Sequence, residues 1–397
     1  MRFVGIDIGA EEHVVAIVGE SGEVLLRSTG FAEDAKGYEK ARQLIGPKED
    51  SLLVMEATGH YWQNLFGMLS LEGYQIALVN PLRTRRFAEE ELIRAKTDAI
   101  DAVQLARFGQ QKRPAAMKVP EAATIELRER VRLRDRVMQD RDEKVNELHR
   151  LIDLCFPEFT RHVRALWSSL ATTLLRTFPS AEAFRHASGD QVAKLQHGDK
   201  RKHQVGEELA RALLSAAKTS IAHHHGDAYR VQVLYVCDNL DLIRRYLDEI
   251  DKTIAKALEK HEIGKLLTTI AGIGTNTAAR LTAELDGDPS HFENSGALAA
   301  YVGVVPGTDL SGKSTRVRFG IARTGSARLR KALWMPTLVA IRTNPWLKAF
   351  YAGLKKRGKE SKVAIVASMR KLLTAVYSVA KNKRPFVPRL ATAEANA

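Results

Sequence analysis

The sequence predicts a mixed α/β domain at the N-terminus, long pairing helices in the middle and a mainly helical C-terminal domain. Three observations carry that expectation. β-rich runs alternate with helical patterns over the first 110 residues, apolar residues recur at spacings of three and four through the middle, and the last stretch is strongly basic. At 397 residues the chain is long enough for two or three domains. Hydrophobic residues at 45% and charged residues at 27% describe a globular composition rather than a disordered one.

Taken in order, FVGIDIG and HVVAIVG are short β-rich runs separated by the polar AEE, which suggests a hairpin. GEVLLRSTGF supplies a third strand, and Asp34 is placed to cap a helix running to about Leu44. SLLVMEATG and QIALVN are apolar, β-branched runs of the kind buried on both faces of a sheet. Tyr61 to Leu71 between them reads as a crossover helix. Three antiparallel strands, then helices alternating with parallel strands, describe an α/β RNase H-like sheet, assigned to residues 1–115.

Residues 116–262 read as a helical region. Leu127, Val131, Met138, Val145, Leu148 and Ile152 form one seam, interrupted by Arg134 and Arg141; Val236, Leu240, Ile243, Leu247, Ile250, Ile254 and Ala257 form a cleaner one. Sustained three-four spacing predicts long coiled-coil helices, paired within the chain or between subunits. Between the seams, about 156–229 reads as a helical insertion of unassigned role. Its His223, His224 and His225 suit a solvated loop, because adjacent histidines cannot all face one ion. Residues 263–388 form a compact C-terminal domain, and the small, polar tail 389–397 is expected to be disordered.

Charge narrows the function. The net surplus is +14 and the pI is near 9.7, which favours a polyanionic partner over a neutral metabolite. From Ser311 to Leu390 there are 20 Lys and Arg against one acid, Glu360. Such a face repels itself unless a polyanion neutralises it, so nucleic acid is the expected partner. No run of about 18 apolar residues suggests a membrane span. The start MRFVGIDIGA lacks the features of a signal peptide, and Cys155 and Cys237 are expected to sit reduced in the cytoplasm.

Four carboxylates stand out. Asp7 lies in the strand VGIDIG, Glu56 ends the apolar run LLVMEATG, and Asp98 and Asp101 in KTDAIDAVQLARFG share one helix face at i, i+3 spacing. Gathered in one pocket they would repel one another. A divalent cation removes that repulsion, and oxygen-only ligands select magnesium or manganese over zinc. Two such ions stabilise the attacking and leaving oxygens of a phosphoryl displacement. Taken singly, Asp98 could cap its helix and Asp101 could pair with an arginine; the set of four is what points to a nuclease. Lys96, just before the pair, could contact phosphate or be solvated.

In the C-terminal domain, Gly272-Ile273-Gly274 between helical patterns suits a helix-hairpin-helix-like motif, whose glycines let backbone approach phosphate, or plain packing. Downstream, YVGVVPGTDLSGKSTRVRFG places Ser311 in a loop-like stretch beside Lys313, Arg316 and Arg318. With no histidine adjacent, that serine needs a metal to become a nucleophile, and otherwise is a turn residue. VGIDIG is also similar to the first phosphate motif of actin-like kinases. Those need a second Asp-Gly turn, for which Asp286-Gly287 is a poor candidate, and a glycine-rich adenosine motif that is not present.

GIDIG with Asp7, MEATG with Glu56, KTDAIDA with Asp98 and Asp101, PGTDLSG with Ser311, TIAGIG and GKESKVAIVASMRKLL together resemble the DEDD transposases of bacterial insertion sequences, the insertion-sequence-one-ten family. The resemblance spans about 1–155 and 260–385. It implies a RuvC-like N-terminal domain, a magnesium-bound (or manganese-bound) tetrad, and a DNA transposase and recombinase that joins DNA through a phosphoserine at Ser311. It further implies dimers or tetramers, donor and target DNA as substrates, a structured guide (bridge) RNA, and a place at the bacterial nucleoid. A RuvC-like junction endonuclease using water, with Ser311 only shaping a loop, is the alternative.

Overall fold

The computed structural model describes residues 1–57, 59–91, 97–117, 119–306, 309–311, 314–316 and 324–388, with side chains in 309–316 left undescribed. It divides into two units, residues 1–119 and 120–397.

The first unit runs β1 (Arg2–Asp7), β2 (Glu12–Val18), β3 (Val24–Ala32), α1 (Ala35–Ile45), β4 (Ser51–Glu56), α2 (Trp62–Leu71), β5 (Gln75–Val79), α3 (Pro81–Glu90) and α4 (Asp98–Lys112). The sheet order is β3-β2-β1-β4-β5, antiparallel from β1 to β3 and parallel from β1 through β4 to β5. This mixed α/β sheet is the one the strand signals predict, and it is compatible with an RNase H-like domain. Asp34 does cap α1, accepting from the Gly37 amide at 2.7 Å.

Strand alternation sorts the β1 side chains between two cores. Val4 and Ile6 join Val15, Ile17, Ala41, Leu65 and Leu69 on the face of α1 and α2. Phe3 joins Val54, Val79, Phe87, Leu105 and Phe108 on the face of α3 and α4. Covering both faces explains the continuous apolar runs of β1 and β4. On the first face, buried His13 bonds Glu33 at 2.5 Å, and Glu33 also accepts from Tyr38 at 2.6 Å and Asn64 at 3.1 Å. That network ties β2 to α1 and α2.

The second unit begins with α5 (Ala122–Cys155) and continues through α6 (Phe159–His162), α7 (Ser169–Thr177), α8 (Ala181–Arg185), α9 (Gly189–Ala193), the hairpin β6 (Gln196–His197) and β7 (His203–Gln204), α10 (Glu207–Lys218) and α11 (Asp227–Leu258). There follow α12 (Glu262–Leu267), α13 (Thr275–Glu284), α14 (Ser295–Val302), β8 (Asp309–Ser311), β9 (Ser314–Arg316), α15 (Ala327–Thr343), α16 (Pro345–Lys356) and α17 (Ser361–Asn382).

The helices α5 and α11 pair antiparallel within the chain, since Arg134 bonds Asp251 at 2.5 Å and Arg150 meets Gln232 at 3.5 Å. The two seam arginines are thereby accounted for: Arg134 crosses to its acid, and Arg141 lies 5.0 Å above the Trp167 ring. At one end Leu127 and Val131 join Ile250 and Ile254 in the core of α12 to α17. At the other, Leu148 and Ile152 join Val236, Leu240 and the Phe156, Phe159 and Phe184 cluster of the insertion. The 156–229 stretch is therefore a folded cap on the helical pair. Its three adjacent histidines lie exposed in a loop, as expected.

Both cysteines are free and buried, Cys155 at the end of α5 and Cys237 on α11, where burial pushes the Cys237 thiol up to about 12. Among the described residues α17 is the one helix long and apolar enough to cross a membrane, yet Ala364, Met369, Leu372, Leu373 and Val376 on it are core residues. The tail 389–397 lies outside the described residues.

One packing contact sets the position of α4. A Cβ on Gly5 would overlap the Ala102 oxygen and the Ala106 nitrogen of α4, both backbone, so only glycine lets helix and strand meet. On the helix side, a Cβ on Gly109 would come within 2.8 Å of Val54 Cγ2. Backbone cannot rotate out of the way as a side chain can. Gly5→Ala is therefore expected to destabilise the fold by about 1–3 kcal/mol or more. Chemical denaturation checks this, and wild-type stability in that variant would refute the tight approach.

Candidate active site

Asp7 closes β1 and Glu56 closes β4. The parallel register pairs Ile6 with Met55, so the two acids follow one another off the carboxyl ends of neighbouring strands. That edge is where open α/β sheets place their ligands. Asp7 shares the face of Phe3 and Gly5, the side on which α4 lies.

The close approach at Gly5 brings the start of α4 to the same edge. Thr97, not Asp98, caps the helix, with its hydroxyl accepting from the Ile100 amide at 3.3 Å. Ser28 of β3 also donates to the Ala99 carbonyl at 2.6 Å, pinning this first turn. Asp98 and Asp101 are thus released from capping, and both sit where the helix dipole favours negative charge.

Burial and the charges of the other three acids all act on Asp7. The Asp7 carboxyl is raised from the ordinary 3.8 to about 6, first by burial and then by the charges of Asp101, Asp98 and Glu56. Its bond to the Ile8 backbone opposes the shift and does not offset it. Asp7, Glu56 and Asp101 are half-buried and Asp98 is exposed, so the cluster opens to solvent on the helix side.

Among the described residues no three His, Cys, Asp or Glu side chains stand close enough to ligate one ion together. Closing these acids round a cation therefore takes side-chain movement. The donor chemistry nonetheless fits a hard divalent cation: oxygen ligands alone, with mutual repulsion that such a charge relieves.

Sequence reading missed Thr84. From α3 its hydroxyl donates to Glu56 Oε2 at 2.7 Å while also reaching the Pro81 carbonyl at 3.0 Å. No sequence motif marks a lone threonine in RTRRF; only the packing of α3 beside β4 and β5 does.

The other candidates are placed as follows. Ser311 ends β8 and Arg316 ends β9 of a short hairpin in which Ser311 pairs with Ser314. Lys96, Lys313 and Arg318 lie outside the described residues. Gly272 has φ +103, and a Cβ there would meet Ala340 at 2.5 Å, so packing against α15 accounts for that glycine. Gly274 precedes α13 in the open. Asp286, with φ 54, turns the chain after α13 and pairs with Arg128, which gives that Asp-Gly step a structural role.

A mixed sheet with acids at its carboxyl edge is compatible with an RNase H-like DEDD domain. Residues 4–157 match the transposase family typified by the DEDD proteins of IS110, and residues 264–352 match the transposase IS116/IS110/IS902 family. The chain belongs to this family of insertion-sequence transposases, whose activity is to cut and rejoin DNA. Relatives include the pilin gene-inverting protein of Moraxella bovis, 27% identical over 85% of this chain and 82% of its own. The mini-circle protein of IS117 from Streptomyces coelicolor is 26% identical over 90% and 88%, and the IS900 42 kDa protein of Mycobacterium paratuberculosis 21% over 99% of both.

Two outcomes follow from the geometry. A carboxyl raised to about 6 contributes stability that is present below its ordinary 3.8 and is lost as pH rises through 6. At neutral pH without divalent cation, Asp7→Asn should therefore raise the melting temperature by on the order of 2–4 °C, solvent screening having reduced the effect. No gain should remain near pH 4, and a gain there equal to that at neutral pH would refute repulsion as its source. Separately, Thr84→Val should weaken magnesium affinity, read by titration calorimetry, by about tenfold, as loss of a carboxylate-orienting group does. Thr84→Ser should restore it; equal defects in both variants would mean packing, not the hydroxyl, matters.

Proposed function

We propose that this chain is a divalent-metal-dependent DNA recombinase in which Asp7, Glu56, Asp98 and Asp101 hold the cation and Ser311 is the nucleophile. The observation that carries the reading is placement: Asp7 and Glu56 end the neighbouring strands β1 and β4, and the first turn of α4, carrying Asp98 and Asp101, is brought against the same sheet, so that all three acids act on the Asp7 carboxyl. The N-terminal domain, residues 1–115, is read as RuvC-like, 116–262 as a coiled-coil region, and 263–388 as the domain that carries the serine.

Magnesium or manganese bound there would neutralise charge developing on the phosphodiester oxygens. Asp7, Glu56, Asp98 and Asp101 supply the anionic cradle, and Thr84 holds Glu56 in orientation. Ser311 Oγ forms a bond to phosphorus as the bond to the 3′ oxygen breaks. The serine proton is lost and the leaving 3′ oxygen takes one up. Rejoining reverses this: an incoming 3′-hydroxyl attacks the phosphoserine and returns the serine hydroxyl. Bond energy is conserved throughout, so no nucleotide cofactor is needed.

Conservation of bond energy favours serine over water as attacking group. A relative named for inverting a pilin gene must rejoin what it cuts, and hydrolysis would discard the energy for rejoining. Donor and target DNA are the substrates, acted on by a dimer or tetramer at the bacterial nucleoid. A structured guide RNA is the further partner, in keeping with the net charge of +14.

The test is a denaturing gel for a protein–DNA conjugate, with RNA that co-purifies sequenced from the same preparation. Ser311→Ala should lose conjugate and joining together. Asp7→Asn and Asp101→Asn should lose cleavage by about 10³-fold or more while still binding DNA. Nicking by Ser311→Ala, with no conjugate in the wild type, would instead establish a water-using RuvC-like junction endonuclease.

A further inference from the structure

In the second unit many arginines of the helical arm are paired with carboxylates. Arg128 pairs with Asp286, Arg132 with Glu284, Arg134 with Asp251, and Arg280 with Asp135. Arg176 reaches Asp238 and Asp241, and Arg244 reaches Asp199 and Asp241. Arg328, bound to Glu284 at 3.4 Å, is the last cation along the chain so paired. From Lys331 to Arg384 there are thirteen Lys and Arg, and Glu360 is the one acid. Among the described residues none of those thirteen has a carboxylate within salt-bridge distance.

The density peaks at the turn joining α16 to α17, KKRGKESK. Lys355, Lys356, Arg357, Lys359 and Lys362 are all exposed there, five cations in eight residues. The turn is not slack. Gly358 takes φ +72, and Lys355 Nζ donates to the Lys359 carbonyl at 3.0 Å and to Ser361 Oγ at 3.2 Å. Behind it Leu347, Ala364 and Met369 anchor both helices in the core. Five like charges held this close on a packed turn repel one another, and a polyanion relieves that cost with little ordering to lose.

Geometry also selects the kind of polyanion. Lys371 Nζ lies 4.8 Å above the Trp346 ring and 5.6 Å above Phe350, and Trp346 packs edgewise on Phe386. These rings are not open platforms on which unpaired bases stack, as single-strand binding requires. Point charges on flexible stems suit phosphates rather than base edges.

We propose that the turn between α16 and α17 is a backbone-binding surface for duplex DNA. In it Lys355, Lys356, Arg357, Lys359 and Lys362 neutralise phosphates without reading sequence. The inference rests on the reading of the chain as a DNA-processing protein and adds where the duplex is held.

The experiment measures duplex binding by the full chain carrying Asp7→Asn, so that no strand is cut. Adding Lys355→Gln, Lys356→Gln and Arg357→Gln should make the slope of log affinity against log salt shallower by about 2–3 between about 50 and 200 mM salt. Affinity should fall at least about tenfold at physiological salt, whatever the duplex sequence. The control Lys144→Gln, Lys194→Gln, Lys252→Gln removes the same charge from lysines already paired with Glu147, Asp190 and Asp248, and should change affinity less than about twofold.

An unchanged slope would overturn the proposal. So would an equal loss in the control, which would mean bulk charge, or a loss confined to RNA duplexes or single strands. Because binding is read without cleavage, failure of the serine chemistry leaves this result standing, and the reverse also holds.

Discussion

Backbone meets backbone where α4 crosses β1 at Gly5, and the acid cluster depends on that contact. With any side chain at position 5 the helix would have to lift by about the width of a methyl group. Asp98 and Asp101 would move with it, away from Asp7 and Glu56. Gly109 makes the matching concession on the helix, letting Val54 of β4 and the Phe3 ring come up against it. Two glycines more than a hundred residues apart in the chain thus bring a helix down on the sheet so that the four carboxylates share one edge.

Such a constellation works against the fold that carries it. Asp7 is raised to about 6 because burial and three neighbouring acids all oppose its charge. The surrounding first turn of α4 answers only in part, through the Thr97 cap, the Ser28 tether and the favourable end of the helix dipole. Thr84 offers Glu56 a neutral donor. A sheet edge that stores repulsion in this way gives up resting stability, as functional sites commonly do.

The second unit separates its charges by use. Along α5 and α11, the seam arginine Arg134 finds Asp251 across the helical pair and Arg141 stacks over Trp167, so the arm is held by packing and by internal pairing. The insertion closes one end of that arm with its own phenylalanine core, and the C-terminal helices close the other. Beyond α15 the acids run out and the cations face solvent. Net charge therefore resides mostly in one segment of the chain rather than being spread over the whole of it.

Much of this was legible beforehand. Strand runs, the Asp34 cap, the crossover helix and the long three-four seams follow from periodicity and capping, which are local and survive in any window of sequence. The four acids could be picked out because each ends or begins an element whose type was readable. What no local pattern holds is who faces whom. Gly5 looks like any strand glycine until α4 lies on it, Thr84 is one hydroxyl among many, and Arg134 interrupts a seam until Asp251 is found across it. Gly272, which could have approached phosphate, is accounted for by Ala340 on a helix almost seventy residues later. The acids and their elements were written in the sequence; their convergence on Asp7 was decided by tertiary packing, because burial and Coulomb repulsion depend on distances that only the folded chain sets.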